Sequence, residues 1–360
     1  DELIPYAEKL AKKVSEELNI PIYLYEHSAR EDKRRNLANI RSGEYEGLSK
    51  KINSKEWKPD FGNAFNKKSG ATAIGVRDFL IAYNINLNTK STRLANAIAF
   101  DVREKGRIKR KGHPVIGEIV YDKNGNPDTI PGSLKHVKAI GWYIEEFGIA
   151  QISMNLTNIT KTPIHTVFEE VVKKANARGA SVTGSELVGL IPLKSMIDAG
   201  KYFLKKQNRS IGIPEVDIIK IAIESLGLNQ VKDFNPTKNI IEYYLDKITN
   251  KNGNLIDLSS RSFSDEVSRE TPAPGGGSVS SYVGALGTSL AGMVANLSCN
   301  TRGWENKVEI FSAKAYEINQ LREKLLSLVD EDAHSFNSIM EAYKLPKDSE
   351  GNKQIRSKAI

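Results

Sequence analysis

The carboxylate of Asp332 is the side chain of this sequence best placed for acid chemistry. Leu321, Leu325, Leu328, Val329, Phe336, Ile339 and Met340 recur along one stripe of a predicted long helix, at about 100° per residue. Asp332 falls near the middle of that stripe, Asp330 and Glu331 fall outside it, and His334 lies opposite. A carboxylate among leucines loses hydration, which disfavours its charged form. An acid that keeps its proton near neutral pH can give it to a leaving nitrogen. The same residues also fit a buried aspartate that pairs with an arginine or caps a neighbouring helix.

A second chemical feature is Thr271-Pro272-Ala273-Pro274-Gly275-Gly276-Gly277-Ser278. It runs directly into an apolar helix. A glycine loop at a helix N-terminus presents backbone N–H groups and the positive end of the helix dipole, which suit a carboxylate or a flat ring close to the backbone. Beyond it, Gly284, Gly287 and Gly292 with Ala285, Ala291 and Ala295 predict close helix–helix contact. The stretch from Ser278 to Ser298 carries no charge, but its Ser, Gly, Ala and Thr content and Asn296 fit a buried, closely packed helix better than a membrane span.

Two strands with a period of two offer a third feature. Ile81, Tyr83, Ile85 and Leu87 point one way, and Asn84 and Asn86 the other; Ile152, Met154 and Leu156 oppose Gln151, Ser153 and Asn155. This amide-bearing face is either solvent-exposed or a wall that hydrogen-bonds a heterocycle. The basic run Lys105-Gly106-Arg107-Ile108-Lys109-Arg110-Lys111-Gly112 is a solvated loop or an anion contact, and no aromatic residues interleave with it as single-stranded nucleic acid would require. The five histidines, His27, His113, His136, His165 and His334, lie in no recognised nucleophile motif. His165 opens a predicted helix and reads as structural.

These groups must be held by three segments. Residues 1–77 start with a helical pattern over 2–18, ended by Asn19, then a strand over 20–25 and a polar irregular stretch. That reads as the closing part of an α–β unit whose opening strands lie upstream. Residues 78–246 predict strands at 79–87, 139–145, 149–157 and 181–184 with helices at 90–104 and 163–178. The order β-α-β-β-α-β is ferredoxin-like, an α+β fold with helices on one face. Asn124-Gly125 predicts a hairpin tip inside the 105–133 insertion. Residues 247–258 read as a linker, and 259–360 as the start of an all-α helical bundle. The whole is therefore α+β, with ferredoxin-like units, the first incomplete, followed by an incomplete helical bundle.

Composition narrows the class of protein. The chain has 360 residues, 39% hydrophobic and 27% charged, the balance of a soluble globular protein. One cysteine, Cys299, excludes a disulfide framework and points to a reducing cytoplasm. The histidines and the cysteine lack metal-ligand spacing, so no metal is expected. Net charge is +8, from 52 basic and 44 acidic residues, which suits an anionic small partner; the interspersed acids argue against nucleic acid. Asp1 and Ile360 both read as cuts through a longer protein.

Several stretches resemble a known family. Ile40-Arg41-Ser42-Gly43-Glu44-Tyr45-Glu46, Pro59-Asp60-Phe61-Gly62, Gly70-Ala71-Thr72, Phe79 to Leu87, Ile140-Gly141-Trp142-Tyr143, Leu187 to Lys194 and Ile240-Ile241-Glu242-Tyr243 resemble a formiminotransferase module. Ala273-Pro274-Gly275-Gly276-Gly277-Ser278-Val279 and Leu328-Val329-Asp330-Glu331-Asp332-Ala333 resemble a cyclodeaminase module. Their order is that of the bifunctional formimidoyltransferase-cyclodeaminase family, and the resemblance covers nearly the whole chain.

The resemblance implies a two-step folate chemistry. N5 of tetrahydrofolate attacks the formimino carbon of N-formiminoglutamate and glutamate leaves. N10 then attacks the same carbon, ammonia leaves, and 5,10-methenyltetrahydrofolate forms. By family match Asp332 is the cyclodeaminase acid, and Gly62-Asn63-Ala64-Phe65-Asn66-Lys67-Lys68-Ser69-Gly70 is the folate-binding loop, one residue shorter than in relatives. Polyglutamylated tetrahydrofolate is the implied co-substrate, Lys67 and Lys68 its carboxylate contacts, and a homo-oligomer the implied assembly, with no membrane partner. None of the five histidines matches the transferase's catalytic histidine, so this stretch alone is expected to have little transferase activity. The competing function is a folate-binding or assembly fragment without turnover.

Overall fold

A computed structural model describes residues 2–113, 116–249, 254–271, 273–346 and 349–359. They form two units that divide after Phe79. The fold class is α+β, with strands concentrated before residue 190 and helices alone after it.

In the first unit, helix α1 (Ile4–Leu18) ends at Asn19, whose left-handed backbone stops the helix. Strand β1 (Ile22–Glu26) follows, then α2 (Leu37–Arg41), α3 (Glu44–Asn53) and β2 (Thr72–Val76). β1 and β2 pair in parallel, with Ile22 opposite Thr72. The two short helices occupy the stretch expected to be irregular. Lys51 Nζ binds the carbonyls of Asn39, Ile40 and Ser42, so a side chain ties off the end of α2. Ala11, Ile22 and Leu24 form one small core; Tyr23, Ile40 and Ile52 form another.

A buried ion pair anchors this unit. Arg34 Nη1 lies 3.0 Å from Asp60 Oδ2, and both side chains are almost completely buried, at 4% and 3% exposure. Arg34 Nη2 donates to Lys58 O at 2.8 Å, and Leu24 N donates to Asp60 Oδ2 at 2.8 Å. The pair is therefore hydrogen-bonded on both sides, which is what makes a buried charge tolerable.

The second unit opens with β3 (Ile81–Leu87) and α4 (Thr92–Val102). An excursion carries β4 (Arg107–Ile108) and β5 (Thr129–Ile130), paired antiparallel. Its tip is the expected turn: Asp122 Oδ1 accepts from Asn124 N and Asn126 N, both at 2.8 Å. Then come β6 (Val137–Ile144), β7 (Ile149–Leu156), α5 (Ile164–Asn176) and β8 (Val182–Val188). The sheet order β6-β7-β3-β8 is antiparallel throughout, the ferredoxin-like arrangement. Ile81, Tyr83, Ile85 and Leu87 join Ile152, Met154 and Leu156 in the core with the buried faces of α4 and α5.

Helices α6 (Leu193–Lys206), α7 (Glu215–Leu226), α8 (Pro236–Asn239) and α9 (Ile241–Thr249) follow. α9 overlaps the expected linker, of which 250–253 lie outside the described residues. The last module contains α10 (Ser260–Val267), α11 (Gly276–Cys299), α12 (Val308–Lys344) and α13 (Glu350–Ala359). α11 and α12 form a long helical hairpin. Gly284 meets Leu325 and Gly292 meets Ile318, so the small residues of α11 do allow close packing.

Only one face of α11 is buried, through Ser278, Ala285, Ala295 and Cys299, whereas Val283, Leu290 and Leu297 are exposed. The expectation of a buried helix therefore holds for the small-residue face alone. Among the described residues no helix is long and apolar enough to cross a membrane.

The α6–α7 turn is bolted to this hairpin. Asn296 Nδ2 donates to Gly212 O at 2.9 Å, Ile211 N donates to Ser312 Oγ at 3.0 Å, and Gly212 lies against Ala315.

Candidate active site

α12 carries Asp332 to the N-terminus of α11. Ser278 is the third residue of α11, and its N–H donates to Asp332 Oδ2 at 2.8 Å. Its hydroxyl lies 3.0 Å from the same oxygen and 2.8 Å from Val329 O. Helix starts leave their first N–H groups without partners, and a carboxylate is the natural acceptor there. Asp332 Oδ1 lies over Gly277, where a Cβ would collide with it. Glycine is required here by close approach.

The sequence therefore leads to an aspartate that caps a neighbouring helix. Its setting is polar on the α11 side, not the apolar pocket expected, and it is half-buried. The expected stripe is only partly covered: Val329 is fully buried, but Leu321, Phe336 and Met340 keep a third to a half of their surface exposed, because α11 shields a narrower arc than the apolar residues span. Asp330 is also half-buried, which helical phase alone did not anticipate. It accepts from Leu255 N at 2.6 Å and lines a cleft of about 240 Å³ with Pro274, His334, Asn337 and Glu266. Asp332 does not line that cleft. The Gly-rich loop and Asp332 are brought together through Ser278; Pro272 lies outside the described residues.

The loop at 62–70 is built around Asn66. Its Oδ1 accepts from Lys68 N at 2.9 Å and Ser69 N at 3.1 Å, and its Nδ2 donates to Asn19 O at 3.0 Å. Gly70 N closes the turn on Asn66 O at 2.8 Å, with φ of +67° that favours glycine. Tyr45 OH donates to Lys67 O at 2.6 Å, and the Tyr45 ring leans on Phe65. Gly62, Asn63, Ala64, Lys67, Lys68 and Ser69 are exposed. The loop runs into a cleft of about 390 Å³ lined by Ser69, Gly70, Tyr45, Arg41, Glu44 and Tyr23. Tyr23 OH donates to Trp57 O at 2.6 Å, and burial pushes its hydroxyl up to about 12, so it keeps its proton.

The amide face of the sheet is closed over three of its amides and open at the fourth. Asn84, Asn86 and Gln151 are buried. Gln151 Nε2 donates to Asn86 Oδ1 at 2.6 Å and Glu186 Oε2 at 3.3 Å, and Gln151 Oε1 accepts from Trp142 Nε1 at 3.2 Å. Asn84 Nδ2 donates to Glu186 Oε2 at 3.2 Å, and Asn86 Nδ2 donates to Gln230 Oε1. Only Asn155 is exposed. Glu186 and Gln230 were missed because neither belongs to the strands whose alternation was read. The basic run is largely committed as well: Arg107 pairs with Asp101, Lys109 Nζ lies 3.0 Å from Asp128, and Arg110 Nη1 donates to Gly117 O at 2.7 Å.

Comparison with known proteins finds three matched stretches along the chain. Residues 1–77 match the model of the formiminotransferase domain, N-terminal subdomain, residues 82–246 that of the formiminotransferase domain, and residues 259–360 that of formiminotransferase-cyclodeaminase. The chain is 40% identical over 361 aligned residues to the formimidoyltransferase-cyclodeaminase of Gallus gallus, covering all of this chain and 63% of that relative. This chain belongs to the formimidoyltransferase-cyclodeaminase family.

It spans less than two thirds of the length of that relative. Two other relatives match parts of the chain. A glutamate formimidoyltransferase of Thermoplasma acidophilum is 40% identical over 201 residues, 55% of this chain and 58% of the relative. A methenyltetrahydrofolate cyclohydrolase of Methylorubrum extorquens is 32% identical over 99 residues, 27% of this chain and 47% of the relative.

Proposed function

We propose that this protein transfers a formimino group from N-formiminoglutamate to tetrahydrofolate and then closes the product to 5,10-methenyltetrahydrofolate with loss of ammonia. The observation that carries this reading is the carboxylate of Asp332 seated on the N-terminus of α11 by Ser278. A capped carboxylate on a packed hairpin is held in one geometry, which proton transfer requires. Oδ2 is engaged by Ser278, and among the described residues Oδ1 accepts no hydrogen bond. Oδ1 is the oxygen that gives the proton.

In the deamination, N10–H adds across the formimino C=N bond: the N10–C bond forms, the N10–H proton passes to the imino nitrogen, and a tetrahedral centre bearing an amino group results. The Asp332 O–H bond breaks as an N–H bond forms on the departing nitrogen, and ammonia leaves. The names of relatives support both halves of this chemistry, a glutamate formimidoyltransferase for one and a methenyltetrahydrofolate cyclohydrolase for the other.

Folate is assigned to the Gly62–Gly70 loop. Exposed Lys67 and Lys68 suit its carboxylates, and a polyglutamate tail uses the net charge of +8. The cleft beside Ser69 and Gly70 is of a size that accepts one heterocycle. A cytoplasmic homo-oligomer completes the proposal.

The test is turnover by the whole protein. Tetrahydrofolate and N-formiminoglutamate should yield glutamate, then ammonia and methenyltetrahydrofolate, each at about 1 per second or more. Binding of tetrahydrofolate without release of either product would replace this proposal with a binding or assembly module.

A further inference from the structure

Ser278 has one hydroxyl hydrogen and two acceptors. Its Oγ lies 2.8 Å from Val329 O and 3.0 Å from Asp332 Oδ2, and the side chain is completely buried, so water does not complete the set. A hydroxyl carries a single donor. At any moment it satisfies one of these oxygens well and the other poorly. Val329 O also serves as a helical acceptor inside α12 and tolerates the loss. Asp332 Oδ2 keeps the Ser278 N–H in either case. The two positions of the hydroxyl therefore differ mainly in what they offer Asp332.

We infer that Ser278 is a positioning residue for proton transfer by Asp332, its hydroxyl turning from Val329 O to Asp332 Oδ2 as the carboxylate forms. This rests on Asp332 being the acid of the deamination. While Asp332 Oδ1 holds the proton, Oδ2 is a carbonyl oxygen and the weaker claimant, and the hydroxyl favours Val329 O. When the proton passes from Oδ1 to the departing nitrogen, Oδ2 gains negative charge. The hydroxyl then rotates about its own C–O bond and makes a charge-assisted hydrogen bond to it. Ser278 keeps its hydrogen throughout: one O–H bond breaks on Asp332, and one N–H bond forms on the leaving group. The donor is aimed in advance at the place where charge develops.

The experiment is steady-state kinetics of deamination by the whole protein with Ser278→Ala, Ser278→Cys and Asp332→Asn. Formimino transfer by the same preparations serves as the folding control. Loss of a hydrogen bond to a charged group predicts that Ser278→Ala lowers kcat about tenfold or more, with KM within about twofold. Ser278→Cys fills the same space with a weaker donor and should also be slow. Ser278→Ala in combination with Asp332→Asn should be no slower than Asp332→Asn alone, because the hydroxyl acts only through that carboxylate. A wild-type kcat in Ser278→Ala, a wild-type kcat in Ser278→Cys, or full additivity in the double variant would overturn the role of Ser278 while leaving Asp332 in place. A wild-type kcat in Asp332→Asn would remove the reading of the acid itself, and the role of Ser278 with it.

Discussion

The carboxylate of Asp332 occupies the space that a side chain at Gly277 would need, so the third glycine of the Gly275-Gly276-Gly277 run is set by the acid it lies under. The loop is thus specified by a residue on another helix, more than 50 positions later in the chain.

Gly277→Ala tests that relationship. The new methyl must push the carboxylate off the N-terminus of α11, because Oδ1, Cγ and Oδ2 all lie near the position of the Cβ. A displacement of about 1 Å at a reacting group can cost about 100-fold in rate. Deamination should fall by that order while formimino transfer is retained. A Gly277→Ala protein that deaminates normally would show that the carboxylate need not sit there.

The Arg34–Asp60 pair gives a stability prediction for the first unit. Asp60→Ala leaves a buried guanidinium whose Nε already lacks a partner, and frees Leu24 N. Breaking a buried pair from one side costs about 3–5 kcal/mol. Denaturant unfolding of the variant should show a loss of that size. A loss under about 1 kcal/mol would mean that Glu31, 3.1 Å from Arg34 Nη2, holds the charge without Asp60.

How much of this was readable from sequence depends on which residues carry the signal. The β3 and β7 alternation placed the core side chains correctly, because a two-residue period leaves no freedom once one face is buried. The end of α1 at Asn19 and the Asn124-Gly125 turn were legible because each is a local rule. Helices α2 and α3 were not. They are short, rich in charge, and held by tertiary contacts such as Lys51 Nζ on the end of α2. The joining of Asp332 to the glycine loop was legible as two motifs. That Asp332 caps α11 through Ser278, and that Asp330 turns toward Leu255, depends on where a second segment lies. The fate of the amide face was hidden for the same reason, since Gln230 and Glu186 complete it from elsewhere.

Gln151→Ala probes that amide face. It removes the donor to Asn86 Oδ1, leaving that buried acceptor unmatched, and the acceptor for Nε1 of the more exposed Trp142. Each such group costs about 1–3 kcal/mol. The variant should lose stability by that amount, and Gln151→Glu should not restore it, because a second carboxylate would face Glu186 at about hydrogen-bond distance. Equal stability of wild type and Gln151→Ala would mean that the network contributes nothing to the fold.

His165 predicts a pH dependence of stability. Burial lowers its pKa below the usual histidine value, against the opposing pull of Asp198 and Glu169. Its Nδ1 is buried without a hydrogen-bond partner, its ring stacks on Tyr202 at 4.5 Å, and it lies in the first turn of α5, where positive charge is disfavoured. The unfolded chain therefore binds a proton at His165 more readily than the folded one. This contribution to stability is present above the unfolded value of about 6.5 and is lost as pH falls through the lower folded value. His165→Phe keeps the stack and removes the titration. Its melting temperature should fall less than that of the wild type between about pH 6.5 and pH 5. Parallel curves would remove His165 from the account.

The central claim is that Asp332, and not Asp330, gives the proton to the departing nitrogen. Asp332→Asn and Asp330→Asn in the whole protein, assayed for ammonia release from formimino-tetrahydrofolate, test it directly. Both substitutions keep size and polarity and remove an acid. Asp332→Asn should slow deamination about 100-fold or more, with formimino transfer unchanged, while Asp330→Asn should retain most of the rate, because its carboxylate accepts from Leu255 N and serves to hold that segment. Normal deamination by Asp332→Asn together with a comparable loss in Asp330→Asn would contradict the account and move the acid to the cleft beside His334 and Pro274.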